Sequence, residues 1–293
     1  RREDTVVRFF NHALHGYFAA PLLNQALSEG SPQDNIPPHS PDLMRQIGDV
    51  GEPAAPTVPE LAKLLKDRDP MVRRMAAFAL GRIGEPAASV VLELVNALAD
   101  EDENVRSFAS YALGRIGKAA APALPTLIPA LSDKQPVVRF GAALALRQIG
   151  IAAAPAIPAL IPALTDENPE VGQLAALALG QIGASAAAAV PALVLMLGNR
   201  NPDMRFSSAY ALGRIGEPAM PDLLKTLASS DAGLRISAAM ALGEAGKGAA
   251  AAIPALTAAL NDDDVEVRRS AALALEKIGT PAAREALSHY TGN

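Results

Sequence analysis

The chain contains residue types that bind metals, cradle phosphate or exchange protons, but their spacing fits each chemistry poorly. Its four histidines are His12, His15, His39 and His289. His12 and His15 share a helix face at i, i+3, yet no Glu or Cys companion completes a recognised metal spacing. The run Gly243-Glu244-Ala245-Gly246-Lys247-Gly248 resembles a phosphate loop superficially; the spacing before Lys247 is wrong and no Ser or Thr follows it. Carboxylates abound in turns, but acid–base catalysis needs them convergent in a pocket, and residues along one solvated edge do not converge. Cysteine is absent, which excludes thiolate and disulfide chemistry without fixing a compartment. These residues imply no catalytic group, no metal site and no cofactor, and favour a non-enzymatic role.

The elements that position them are copies of one unit. Ala-Leu followed by Ile-Gly recurs along the chain, with closing glycines at Gly84, Gly117, Gly150, Gly183, Gly216, Gly246 and Gly279, and a related Val50-Gly51 before them. The interval is 33 residues except for the one ending at Gly246, which is 30. A fixed period of this size means stacked supersecondary units forming a solenoid.

Residues 118–150 show the unit's physics. An apolar first helix is expected near Pro122 to Leu131, with prolines where a first turn lacks amide partners and Pro129 bending it. Polar residues Ser132 to Pro136 make a turn, and a second helix runs from Pro136 to about Gln148 before Gly150 stops it. Numbering that helix from the valine before the arginine, positions 1, 5, 8, 9 and 12 (Val138, Ala142, Ala145, Leu146 and Ile149) share one face at about 100° per residue. That face is the predicted core, and positions 3, 7 and 10 are predicted to point away from it.

The expected architecture is all-α: a right-handed α-solenoid, or superhelix, of about seven two-helix repeats with terminal caps. The predicted layout is residues 1–51 as an N-terminal capping helix and degenerate repeat. Repeats follow at 52–84, 85–117, 118–150, 151–183, 184–216, 217–246 and 247–279, with a C-terminal capping helix at 280–293. The 293 residues are expected to form one continuous domain, since a solenoid grows by addition. A net charge of -5 and a pI near 5.5 give nucleic acid and anionic membranes no electrostatic reason to bind. The stretch Leu174 to Gly198 imitates a membrane span, but its repeat phase reads as two short helices joined by a turn, so no integral membrane protein is expected. The sequence starts at Arg1, reads as trimmed or processed, and leaves the compartment open, with cytoplasm favoured over export.

Three units carry one motif: DRDPMVRRMAAFALGRIG at 67–84, DEDENVRSFASYALGRIG at 100–117 and DDDVEVRRSAALALEKIG at 262–279. This motif resembles the HEAT family, in particular bacterial HEAT-like repeats first associated with phycobilisome lyases. The resemblance implies a ladder linking neighbouring units through a turn aspartate and the arginine six residues later. The matching pairs are Asp67 with Arg73, Asp100 with Arg106, Asp133 with Arg139, and Asp262 with Arg268. Gly172 replaces the arginine after Asp166, while Asn199 and Ser229 replace the aspartates before Arg205 and Arg235. These breaks and the shortened unit predict altered curvature between residues 166 and 246.

Of the six aromatics within the repeats, five fall at positions 3 or 7 of a second helix: Phe78, Tyr111, Phe140, Phe206 and Tyr210. Leu144, Leu177, Ile236 and Met240 extend the stripe. In HEAT-like arrays second helices line the concave surface, so the stripe reads either as a binding surface or as side chains buried between neighbouring helices. Arg74, Arg82, Arg115, Arg214 and Arg269 are candidates for a basic binding margin, with solvated flank charge the favoured reading for Arg82, Arg115 and Arg214 at position 11. The leading expectation is a bacterial protein–protein interaction scaffold that binds a protein or peptide on the concave face. The alternatives are a phycobilisome-lyase-like enzyme or chaperone handling a bilin and a phycobiliprotein, and an architectural subunit attached through its N-terminal helix. Residues 1–28 read as that apolar helix, a cap or a partner-binding or membrane-proximal segment.

Overall fold

The computed structural model describes residues 58–288. The expected N-terminal helix, the degenerate repeat with its loop, all four histidines and the chain's last five residues lie outside the described residues. Within the described part the chain falls into two compact units that meet in sequence between Ile149 and Gly150.

The first unit holds three helix pairs: α1 Val58–Leu64 with α2 Pro70–Ile83, α3 Val91–Ala97 with α4 Glu103–Ile116, and α5 Leu124–Ala130 with α6 Pro136–Ile149. The second holds four pairs and a closing helix. These are α7 Ile157–Ala163 with α8 Pro169–Ile182, α9 Val190–Met196 with α10 Pro202–Ile215, α11 Met220–Leu227 with α12 Ala232–Glu244, α13 Ile253–Ala259 with α14 Val265–Ile278, and α15 Pro281–Ser288. No strand occurs among the described residues. In both units the second helices pack directly on one another, and each first helix packs on its own second helix.

Local chemistry sets the boundaries of the second helices at the capped positions. Asp69 caps α2, its Oδ1 accepting from Met71 N at 2.8 Å, and Pro70 fills a first-turn position that needs no amide partner. Asp102, Asn168, Asn201, Asp231 and Asp264 cap the corresponding helices in the same way. Two residues earlier, Asp67 Oδ1 accepts from Asp69 N at 2.8 Å and closes the turn. At the other end Gly84 has φ 75°, a conformation that opposes any side chain, and its N–H returns to Leu80 O at 3.0 Å.

In the repeats whose first half is described, a 3₁₀ segment precedes the first helix, a departure from the expected single helix. Residues Gly117–Ala123 form a 3₁₀ segment, and α5 begins only at Leu124. The helix expected from Pro122 starts two residues later, where Pro125, which has no amide to donate, sits in the first turn. The three-residue deletion falls here too. The 3₁₀ segment of that repeat is cut to Glu217–Ala219, while α11 and α12 keep ordinary lengths. The apolar run that imitates a span is α8, a turn at Gly183 with φ 74°, a 3₁₀ segment and α9, as its phase predicts.

Candidate functional site

The core register holds: Val138, Ala142, Ala145, Leu146 and Ile149 are fully buried. Position 10 is exposed at Glu276 and half-buried at Arg147, but where it is glycine it does not point away from the protein as expected. Gly81, Gly114, Gly180, Gly213 and Gly243 are all buried, because a second helix meets its neighbour there. A Cβ on Gly114 would lie 3.3 Å from Ala145 Cα, and one on Gly243 would lie 3.1 Å from Ala274 Cα. The glycine of Ala-Leu-Gly therefore lets successive second helices close on each other.

That closeness decides the fate of positions 3 and 7. In the first unit Phe78 and Tyr111 are half-buried and stack with ring centroids 6.2 Å apart; Tyr111 covers Gly81, whose added Cβ would meet the ring at 2.7 Å. Phe108, at position 4 and outside the predicted stripe, joins them edge-on to Phe78 at 5.4 Å. Its i, i+3 relation to Tyr111 was the available signal. Phe140 and Leu144 are half-buried as well.

In the second unit Leu177, Tyr210 and Ile236 are half-buried, and the Tyr210 hydroxyl accepts from Gln181 Nε2 at 3.3 Å. Three side chains stand clear: Phe206 is 53% exposed, Met240 36% and Leu273 51%. Leu273 occupies position 7 of α14, so the repeat register already carried it although the aromatic pattern did not.

The expected basic margin is partly engaged. Arg74 Nε donates to Asp102 Oδ1 at 2.8 Å, and Arg74 NH2 also pairs with Asp102. That guanidinium, with the Val105 and Asn104 amides, lowers the Asp102 carboxyl to about 2. Arg269 NH1 sits 4.0 Å from Glu266 Oε2, and Lys277 pairs with Glu244. Arg82, Arg115, Arg214 and Arg269 are exposed.

The arginine ladder connects residues differently from the within-repeat pairing. Arg73 NH1 donates to the carbonyls of Asp67 and Arg68 at 3.0 and 3.2 Å, tying down its own turn. Its Nε and NH2 grip Asp100 of the following repeat, each at 2.8 Å. Arg235 repeats this arrangement, with NH1 on Ser229 O and Ser230 O and the fork on Asp262 at 2.8 and 2.7 Å. The hydrogen bond from Arg235 lowers the Asp262 carboxyl pKa from its ordinary value. Arg106 is looser, its Nε 3.9 Å from Asp133 Oδ2. Arg139 and Arg268 make the same NH1 contacts to Asp133 O and Asp262 O.

Because Asp100, Asp133 and Asp262 each answer the arginine of the preceding repeat, the sequence departures regroup. Gly172 and Asn199 are the two sides of one rung, both replaced, while Arg205 faces a repeat whose turn carries Ser229. Among the described residues no group of three or more His, Asp or Glu could hold a metal ion. The ladder and capping carboxylates Asp67, Asp69, Asp100, Asp102, Asp262 and Asp264 are engaged by backbone amides or arginines.

The HEAT-repeat family profile matches residues 43–95, 91–158, 157–243 and 220–293. No curated protein sequence matches the chain. Among solved structures, the chain is similar to an engineered protein at 24% identity and TM-score 0.61, over 89% of this chain and 79% of that one. It is also similar to a designed armadillo repeat protein solved with a (KR)4 peptide, at 19% identity and TM-score 0.52, over 75% and 99% of the two chains. The CpcE–CpcF complex of phycocyanin lyase from a Nostoc species aligns over 88% and 96% at 25% identity and TM-score 0.48, too distant to bear on activity. The first two likenesses concern the fold.

Proposed function

The chain belongs to the HEAT-repeat family, and from that premise we propose that it is a non-enzymatic scaffold binding a protein or peptide across its second-helix face. The observation carrying this reading is the set Phe206, Met240 and Leu273. All three lie at positions 3 or 7 of second helices in one unit and remain exposed where their counterparts are half-buried. Large apolar side chains displayed in register on a packed array supply anchors for a partner. Rigid packing behind them, through the glycine seams at Gly180, Gly213 and Gly243, presents them without an ordering cost at binding.

Selection of a displayed peptide library on the full chain tests the proposal. Enriched peptides should carry apolar anchors and lose binding to the F206S/M240S/L273S variant, while its helical circular dichroism and melting stay close to wild type. Selected peptides that bind this variant undiminished would place the working surface elsewhere.

A further inference from the structure

Ser229 keeps every local duty of a ladder aspartate except the charge. Its hydroxyl accepts from Asp231 N at 3.2 Å, as Asp67, Asp100 and Asp262 accept from the amide two residues on. Its carbonyl accepts from Arg235 NH1 at 3.0 Å, as Asp67 O does from Arg73. The residue after it is Ser230, where the first intact rung has Glu101, which also pairs with Arg73. Both acids of that rung are thus hydroxyls here.

The arginine of this rung is retained. Arg205 NH1 donates to Asn199 O at 2.9 Å and to Arg200 O at 3.1 Å, the same anchoring that orients Arg73 and Arg235. A guanidinium is planar and rigid, so fixing NH1 turns the Nε–NH2 edge the way the forks of Arg73 and Arg235 point. The two repeats remain packed at this edge: Ser237 Oγ, whose hydrogen has Gly233 O at 2.9 Å, also lies 3.2 Å from Leu197 O, and a Cβ on Gly198 would touch Leu234 Cδ2 at 3.4 Å. Among the described residues Arg205 has no carboxylate partner. Asp231, the nearest acid in sequence to Ser229, is committed to the cap of α12 through Leu234 N. The neighbouring rung makes the contrast clear, since there Gly172 and Asn199 lose both charges together.

We infer that Arg205 with Ser229 and Ser230 forms an oxyanion-binding site, in which a phosphate or carboxylate group takes the place of the missing ladder aspartate. The Arg205 edge supplies two parallel N–H donors matched to two oxygens of the ligand. The Ser229 hydroxyl accepts from the Asp231 amide and so keeps its own hydrogen to donate, which an aspartate there lacks. The inference stands apart from the second-helix face, because it rests on the turn edge of α10 and α12.

Titration of the full chain with inorganic phosphate and, separately, acetate, followed through the arginine Nε–H resonances, tests the site. Arg205 Nε–H should shift saturably while Arg235, already gripped by Asp262, stays still. Ser229→Asp should place a carboxylate in the rung, raise the melting temperature, and weaken phosphate binding about tenfold or more. Ser229→Ala should keep the response in weakened form. A phosphate response without an acetate response assigns phosphate groups; responses to both assign oxyanions generally, acidic side chains included. Absence of a saturable Arg205 shift with either anion, or an undiminished shift in Ser229→Asp, overturns the inference.

Discussion

Arg73 joins two repeats by using separate edges of one guanidinium, NH1 holding the carbonyl of Asp67 in its own turn and the Nε–NH2 fork holding Asp100 in the next. Both side chains are largely buried, at 8% and 12% exposure, so the pair is shielded from the screening that weakens surface ion pairs. Asp100 simultaneously accepts from Asp102 N at 2.9 Å, so one carboxylate closes a turn and receives the neighbouring repeat.

Asp100→Asn separates those duties. An asparagine preserves the turn, as Asn199 does by accepting from Asn201 N at 2.9 Å, but it removes the charge that Arg73 faces. The expected loss is roughly 1–3 kcal/mol in denaturant unfolding. The reciprocal change Asn199→Asp, opposite Gly172, should gain no more than about 0.5 kcal/mol, because no arginine waits there. Comparable effects of the two substitutions would show that the turn, and not the fork, carries the stabilisation.

Position 10 makes a second prediction through two glycines in the same register. A Cβ at Gly213 would lie 2.6 Å from Glu244 Cβ and 2.7 Å from Ala241 O, whereas at Gly114 the nearest contact is 3.3 Å. Alanine favours a helix interior by about 1 kcal/mol over glycine. Gly114→Ala should therefore come out near neutral, while Gly213→Ala should cost roughly 1–3 kcal/mol as the two helices are pushed apart. Thermal melts of the two variants side by side would decide it.

The sequence carries the register of the fold because each unit repeats the same local chemistry. Core positions such as Leu146, the turn-closing Asp67 and the glycine stop at Gly84 are readable from one repeat. What lies between repeats is not readable from one. The spacing of Asp67 and Arg73 suggests a pair within the repeat, while the fork reaches 27 residues ahead to Asp100. Position 10 looks solvent-facing on an isolated helix and is buried only because another helix follows. At the same position 3, Phe140 is half-buried and Phe206 is exposed, a difference between identical register positions that periodicity alone does not contain.

Gly172 sits where the ladder otherwise has arginine, and its surroundings predict that the position no longer accepts any side chain. A Cβ there would lie 2.6 Å from Met204 Cε and 2.8 Å from Leu164 O. The methionine end can swing away; the backbone oxygen cannot. Gly172→Ala should therefore destabilise by about 1–2 kcal/mol despite its better helix propensity. The double variant G172R/N199D should be less stable than wild type, although it restores both partners of a rung. A gain in melting temperature from either would mean that α8 shifts to open the space.

Acid stability should report the Arg74–Asp102 pair. Asp102 has a folded pKa lowered to about 2, first by Arg74, against an ordinary value of 3.8. A carboxyl with a depressed folded value contributes stability that is fully present above its unfolded pKa and lost as pH falls through the folded one. The pair's contribution should thus be complete above about pH 4 and disappear on descending to about pH 2. Carboxyl-carbon NMR titration of Arg74→Gln should move the Asp102 midpoint up towards the ordinary value, with part of the depression left by the Val105 and Asn104 amides. In the same variant, the loss of stability between pH 4 and pH 2 should be smaller than in wild type. An unmoved midpoint would assign the depression to the helix cap alone.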